Sequence, residues 1–330
     1  MSTLKRAPRA GLVIAWMPVS RRSTTIAAQA GFELILLGRS GFRRPWSAPF
    51  AYPTLAWRTI RFLASSRPDR IIVVAPPVFA PLVVLPIARM LGARVAIDLH
   101  SGALLDRRWR WAVPLLTWLA RRSTAAVVTL PSLAAGLEAR GVRTIILPDP
   151  LPDLAPAPVT TAAGTDTERP EVVAICGWGD DEPLEALVAA AAGRRWRLAI
   201  TGRQRRPLEA PTGVRLTGFL DDSAYADSLA RAAAIVVLTT RDETLLSGAW
   251  EAIAIGRPLV VSDTAALRST FRDGPTYVGD DAASIAAGID AAVDDPEAAA
   301  RTRALRDRFA AENDAALRTL LAALAGDSNT

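Results

Sequence analysis

Twice along this chain, short β-branched runs alternate with longer Ala/Leu/Arg segments of helical period. No other feature narrows the fold as much, because parallel strands need long crossovers and helices are the usual way to build them. The first series of expected strands is Gly11–Ala15, Glu33–Leu37, Ile71–Ala75, Arg94–Leu99, Ala125–Thr129 and Thr144–Leu147. The second is Glu171–Cys176, Arg197–Thr201, Val214–Thr217, Ala234–Thr239, Pro258–Ser262 and Thr276–Val278, followed by a helical segment from about 296 to 325. Between the series lies "PDPLPDLAPAPVTTAAGTDTERPE", too rich in Pro, Thr and Asp to continue either element, which reads as a linker. The expectation is an α/β chain of two Rossmann-like, doubly wound domains facing each other across a cleft. Their bounds are 1–154, a linker over 155–170, and 171–330, with the last helix able to cross back to the first domain.

Charge divides the chain at the same place. Residues 1–155 carry 21 Lys+Arg against 7 Asp+Glu, and the remainder carries 18 against 26. The basic half is suited to an anionic partner, although solvation alone could produce the same excess. One cysteine, Cys176, and one histidine, His100, leave no intrachain disulfide and no multi-cysteine metal site, so no metal is expected and a reducing compartment fits. The N-terminal "AGLVIAWMPVS" reads as a buried strand, not a signal peptide. The uncharged run Ile71–Ala88 contains Pro76, Pro77, Pro81 and Pro86, so a strand, a turn and a packed helix suit it better than a membrane span.

In doubly wound domains ligands bind beyond the carboxyl ends of the strands. "RDETLLSGAWEAIAIGRPLVVSDT" occupies such a position after the strand Ala234–Thr239. A helix is expected over Ser247–Ile255, stopped by Gly256 and Pro258. Its small first residues, Ser247, Gly248 and Ala249, leave backbone N–H donors approachable by an anion such as a diphosphate. Glu251 lies one turn in, where a carboxylate can accept from vicinal hydroxyls, and Glu243 projects from the loop. Two readings stand for the pair: ligand-holding groups, or a helix-dipole partner and a solvated side chain.

The stretch from Tyr225 to Thr264, "YADSLARAAAIVVLTTRDETLLSGAWEAIAIGRPLVVSDT", resembles the sugar-nucleotide segment of GT-B glycosyltransferases, especially the large retaining group called family 4. The family's pair of glutamates eight residues apart maps onto Glu243 and Glu251. The resemblance implies that Glu251 holds the donor ribose, that Glu243 lies near the donor sugar, and that Leu246, Ser247 and Gly248 meet the diphosphate. It also gives His100, which ends the strand of "RVAIDLHSG", a place against the donor sugar or phosphates, where composition alone favours a structural histidine. Glu243 and His100 are thus the expected catalytic residues. Arg203 and Gly177 complete the expected donor site.

The chain departs from the family where an Arg and a Lys usually follow the first strand of the second domain. Here "CGWGDDEPLEAL" carries Asp180, Asp181 and Glu182, and Lys5 is the chain's single lysine. A developing diphosphate charge would then rest on backbone N–H groups and arginines. A similar Trp and acidic loop occurs in inverting lipid-linked mannosyltransferases of the same fold. Arg21, Arg22 and Ser23 in the first loop fit an acceptor phosphate or, equally, a basic helix start. Trp46, Trp57, Trp109, Trp111 and Trp118 interleave with arginines, as on a surface that lies on anionic lipid, or as core packing.

The resulting expectation is a retaining, metal-independent glycosyltransferase without cofactor. It would use a UDP- or GDP-linked sugar and a lipid-linked or cell-envelope glycan acceptor, in the cytoplasm or on the inner face of the cytoplasmic membrane. Nucleic acid is not expected as a partner, since no recognisable module accompanies the basic residues. A non-catalytic binding subunit and a sugar-nucleotide epimerase of the same fold are the alternatives. A nicotinamide dehydrogenase is disfavoured because no G-x-G-x-x-G follows a strand.

Overall fold

The computed structural model describes residues 11–38, 48–152, 154, 169–242 and 244–326. The chain divides into two compact units, one of Met1–Pro150 with Ala310–Thr330, the other of Leu151–Phe309. Residues 155–168 of the expected linker lie outside the described residues, as does Glu243.

The first unit holds a six-stranded sheet in the order β2-β1-β3-β4-β5-β6. Its strands are β1 (Leu12–Ala15), β2 (Glu33–Leu36), β3 (Arg70–Ala75), β4 (Arg94–Leu99), β5 (Ala125–Val128) and β6 (Thr144–Ile146). All pairings are parallel, with Leu12 opposite both Glu33 and Ile71. Alternation along β1 sends Leu12 and Ile14 to one face and Val13 and Ala15 to the other. The first face is covered by α2 (Ala48–Ser66), α3 (Phe79–Leu91), α4 (Ser101–Leu105), α5 (Val113–Ala120) and α6 (Pro131–Glu138). The second is covered by α1 (Arg21–Ala30) and by Leu317, Leu320 and Leu324 from the end of the chain. Right-handed crossovers account for this segregation: only the β1 to β2 connection runs against the others, so only α1 falls on the far side.

The run Ile71–Ala88 is strand, turn and helix, with Pro81 and Pro86 inside α3. Among the described residues no helix is long and apolar enough to cross a membrane.

The second unit repeats the architecture in the order β12-β11-β10-β7-β8-β9. Its strands are β7 (Glu171–Ala174), β8 (Arg197–Thr201), β9 (Val214–Gly218), β10 (Ala234–Val237), β11 (Leu259–Ser262) and β12 (Thr276–Val278). One face carries α7 (Leu184–Ala190) and α11 (Ala282–Asp294), the other α8 (Asp222–Arg231), α9 (Ser247–Ile255) and α10 (Ala265–Phe271). On that second face Trp250, Phe271 and Phe309 meet edge to face, with centroids 4.7 to 6.0 Å apart. Phe309 lies on α12 (Ala298–Ala325), whose first part packs in this unit and whose last part packs on the first unit's sheet. Successive strands step one way from β7 to β9, and the next strand, β10, falls on the other side of β7. The loops after β7 and β10 therefore flank the topological switch point, where a crevice opens at strand ends.

Candidate functional site in the second unit

Helix α9 starts at the carboxyl end of β10 and ends at Gly256, whose φ of +76° lets its N–H reach the carbonyls of Ala252 and Ile253. Its start differs from those of α8, α10 and α11, although α7 likewise has no side-chain cap. Asp221, Thr264 and Asp281 cap α8, α10 and α11 through side-chain oxygens, whereas Leu246 gives α9 no side-chain cap. The positive end of the helix dipole is thus left for another acceptor. Gly248 permits close approach of helix and sheet: a Cβ there would lie 2.7 Å from Ile175 Cγ2 and 3.2 Å from Val237 Cγ1. Ser247 is exposed one residue before it.

Glu251 is half-buried one turn into α9. Its Oε2 accepts a short hydrogen bond from the Tyr225 hydroxyl of α8. Tyr225 was not singled out from sequence, because the pairing depends on α8 packing beside α9 rather than on local spacing.

The loop after β7 is closed on itself. Glu182 accepts from the backbone N–H of Gly177 through Oε1 at 2.7 Å and from that of Gly179 through Oε2 at 3.0 Å. Trp178, buried at φ +62°, donates its indole N–H to the Thr201 carbonyl at 3.0 Å. Asp181 joins this loop to the one after β10: Oδ2 accepts from the Thr239 hydroxyl at 2.7 Å, and its carbonyl accepts from the Thr240 N–H at 2.8 Å. Arg241 lies 3.4 Å from Asp181 Oδ1. The acidic loop is therefore braced from within, and it includes Gly177, a residue expected in the donor site. Its N–H is already occupied by a carboxylate that a donor phosphate would have to displace. Burial, assisted by Glu182, pushes the Cys176 thiol far above its usual pKa, so the lone cysteine is an inert packing group.

Arg203 follows β8, exposed, with its guanidinium 5.8 Å from the ring centroid of Phe219. Arg206 is committed, to Glu185 at 3.1 Å and to the Glu182 carbonyl at 3.2 Å.

In the first unit, His100 sits at the end of β4 with its side chain 30 % exposed. Its Nε2 is 3.6 Å from Asp98 Oδ2, beyond hydrogen-bond range, and is buried without a hydrogen-bond partner. Asp98 is itself buried and holds Arg22 at 3.1 Å. Arg22 also meets Asp149 at 2.8 Å and the carbonyls of Leu147 and Pro148 at 3.0 and 3.1 Å. Burial opposes its charge, but Asp98 and then Asp149 outweigh that effect and raise its pKa. Arg22, an acceptor-phosphate candidate or a basic helix start by sequence, is thus buried with its guanidinium held by these groups. Ser23, another candidate of this loop, lies in the first turn of α1. It is buried, with its Oγ 2.7 Å from that of Ser20, the N-cap of α1. Arg21 opens α1, and its side chain lies outside the described part of the structure.

Among the described residues no group of three His, Cys, Asp or Glu side chains is placed to hold a metal ion.

Residues 181–295 match the family described as Glycosyl transferases group 1, and they contain α8, α9 and the loop between β10 and α9. The whole chain has the GT-B fold. It is similar to HepE of Anabaena in complex with UDP and glucose, with a TM-score of 0.64 at 12 % identity, covering 94 % of this chain and 99 % of that one. It is also similar to a sucrose-phosphate synthase from Thermosynechococcus elongatus, with a TM-score of 0.66 at 16 % identity, covering 94 % and 97 %. A glycosyltransferase from Rickettsia africae gives a TM-score of 0.67 at 11 % identity, covering 98 % and 100 %. At such identities the likeness is one of fold. No curated protein matches the sequence closely enough to count as a relative.

Proposed function

We propose that this chain is a glycosyltransferase that takes a UDP- or GDP-linked sugar in its second unit and transfers the sugar to a glycan or lipid-linked acceptor. The observation that carries this reading is the start of α9. A helix without a side-chain cap lies at the switch point of a doubly wound sheet, with Glu251 one turn in, inside the segment matched by the glycosyl transferases group 1 family. UDP and glucose bound to HepE, a protein of the same fold, support a nucleotide-linked donor.

In this account Glu251 accepts hydrogen bonds from the ribose hydroxyls, and Tyr225 holds its carboxylate in place. The backbone N–H groups at Leu246, Ser247 and Gly248 stabilise the diphosphate as charge develops on the leaving group. Arg203 adds a cation. His100 and Glu243 orient the donor sugar, His100 as a polar anchor more than as a base. Transfer proceeds with retention and without a metal, on the inner face of the cytoplasmic membrane.

A panel of UDP- and GDP-sugars titrated calorimetrically against the full chain tests the reading. Binding of at least one is expected, with release of free nucleotide when acceptor is present. A chain that binds a nucleotide-sugar and interconverts it without releasing free nucleotide together with a glycosylated product would be an epimerase. A chain that binds none would be a non-catalytic subunit.

A further inference from the structure

Seven of the ten large apolar side chains exposed among the described residues lie on one helical layer of the first unit. Trp57 and Ile60 project from α2, Leu82 and Met90 from α3, and Leu105, Trp111 and Trp118 from α4 to α5. These helices form a continuous sheet-covering layer, with α2 packed on α3 and α3 on α5. Their inward stripes, such as Leu55, Thr59 and Leu63 on α2, are buried, so the exposed residues are a second, outward face rather than leakage of the core. Trp57 is 58 %, Trp111 62 % and Trp118 48 % exposed.

The charge on this layer has one sign. Residues 51–66, 79–91 and 101–122 contain eight arginines, all exposed, and one carboxylate, Asp106, which accepts from the Arg108 backbone N–H at 2.8 Å. Arginine and tryptophan are also paired in space. The guanidinium of Arg122 lies 3.9 Å from the Trp118 ring centroid, that of Arg61 5.4 Å from Trp57, and that of Arg108 5.6 Å from Trp109. Trp111 is held from behind by Phe79 at 6.3 Å and Trp109 at 6.4 Å. Preset aromatic rings with cations beside them match the headgroup zone of a bilayer, where the ring enters the acyl boundary and the guanidinium meets phosphate. A protein partner would be expected to bring apolar surface with balanced charge. Eight arginines with one carboxylate would repel a second copy of the same face, so an anionic lipid surface is the better complement.

We propose that the outward face of α2, α3 and α4 to α5 docks the chain on an anionic lipid bilayer, lying on the membrane rather than crossing it. This names the partner surface for the membrane-bound acceptor in the function proposed above and rests on that reading only for its purpose, since the face would bind lipid with or without a nucleotide.

Co-sedimentation of the full chain with vesicles of phosphatidylcholine alone and with about one third phosphatidylglycerol tests this. Binding to the anionic vesicles and release by salt are expected, because each arginine near the surface contributes about fivefold at low ionic strength. The exposed triple variant R61S/R108S/R122S should weaken binding by about a hundredfold, and W57S/W111S/W118S should abolish the blue shift of tryptophan emission on vesicle addition. Phe219→Ser, in the second unit, should change neither, and circular dichroism checks that each variant folds. Equal binding to neutral vesicles, no binding to anionic vesicles at low salt, or binding unaffected by both triple variants would overturn the proposal. So would a dimer that the tryptophan variant dissociates. Nucleotide titration of the same samples separates the two claims, since vesicle binding without nucleotide binding sinks only the transferase reading.

Discussion

The hydroxyl of Tyr225 donates to Oε2 of Glu251, joining two helices whose pairing residues are 26 apart in sequence. The bond fixes the carboxylate that is proposed to hold ribose and ties α8 to the helix whose start is proposed to hold diphosphate. Tyr225→Phe removes only this donor. A hydrogen bond to a charged group contributes about 1.5–3 kcal/mol when buried, and this one is partly exposed, so a loss of about 1 kcal/mol in stability is expected. Calorimetric affinity for the donor nucleotide should fall about tenfold. Unchanged affinity would show that Glu251 does not need its partner.

Asp98 is the buried counter-charge of Arg22, and with it removed the guanidinium keeps one of its two carboxylates, Asp149, which is 43 % exposed, beside the carbonyls of Leu147 and Pro148. Asp98→Ala should cost about 3–5 kcal/mol, the usual penalty for orphaning a buried charge. Urea unfolding monitored by tryptophan fluorescence measures it. A loss below about 1 kcal/mol would mean that water reaches Arg22.

Glu182 occupies the N–H groups of Gly177 and Gly179 with its own carboxylate. Glu182→Ala vacates two donors and removes a negative charge beside the switch point. Affinity for a nucleoside diphosphate should rise about tenfold while stability falls by about 1–3 kcal/mol. An affinity that drops with stability would assign the glutamate a purely scaffolding part.

Tyr277 has its pKa pushed up to about 12, mainly by burial, with Arg268 opposing. A tyrosine raised above its ordinary value of about 10 favours the folded state fully below that pH. Stability should therefore decline as pH rises from about 10 through 12, and Tyr277→Phe should flatten that decline. Absorbance at the phenolate band, followed against pH in both proteins, checks the assignment. A titration complete near the ordinary value would contradict it.

The architecture was legible because strand and helix periods are local. Expected and observed strands agree within a residue or two, and α9 runs over Ser247–Ile255 as read, since its glycine stop is written beside it. Strand β10 ends at Val237, not Thr239, because the threonine hydroxyl bonds Asp181 and its N–H bonds Ser262, drawing that residue out of the ladder. Pairings across long sequence separations were not legible. Arg22 reads as a basic helix start until Asp98, 76 residues on, is seen beside it. Glu182 reads as one of three acids standing where the family has bases until the backbone turns to meet it. Of the five tryptophans open between core and surface, Trp57, Trp111 and Trp118 face outward, Trp109 is half-buried, and Trp46 lies outside the described residues.

The proposed donor site stands on α9 and Glu251 holding the nucleoside diphosphate. Isothermal titration of the full chain and its Glu251→Ala variant with UDP and with GDP tests it most directly. One of the two is expected to bind the parent chain, and the variant, folded but slightly less stable through loss of the Tyr225 bond, to bind it at least tenfold more weakly. Equal affinity in a folded variant, or no binding of either nucleotide to the parent, would contradict it.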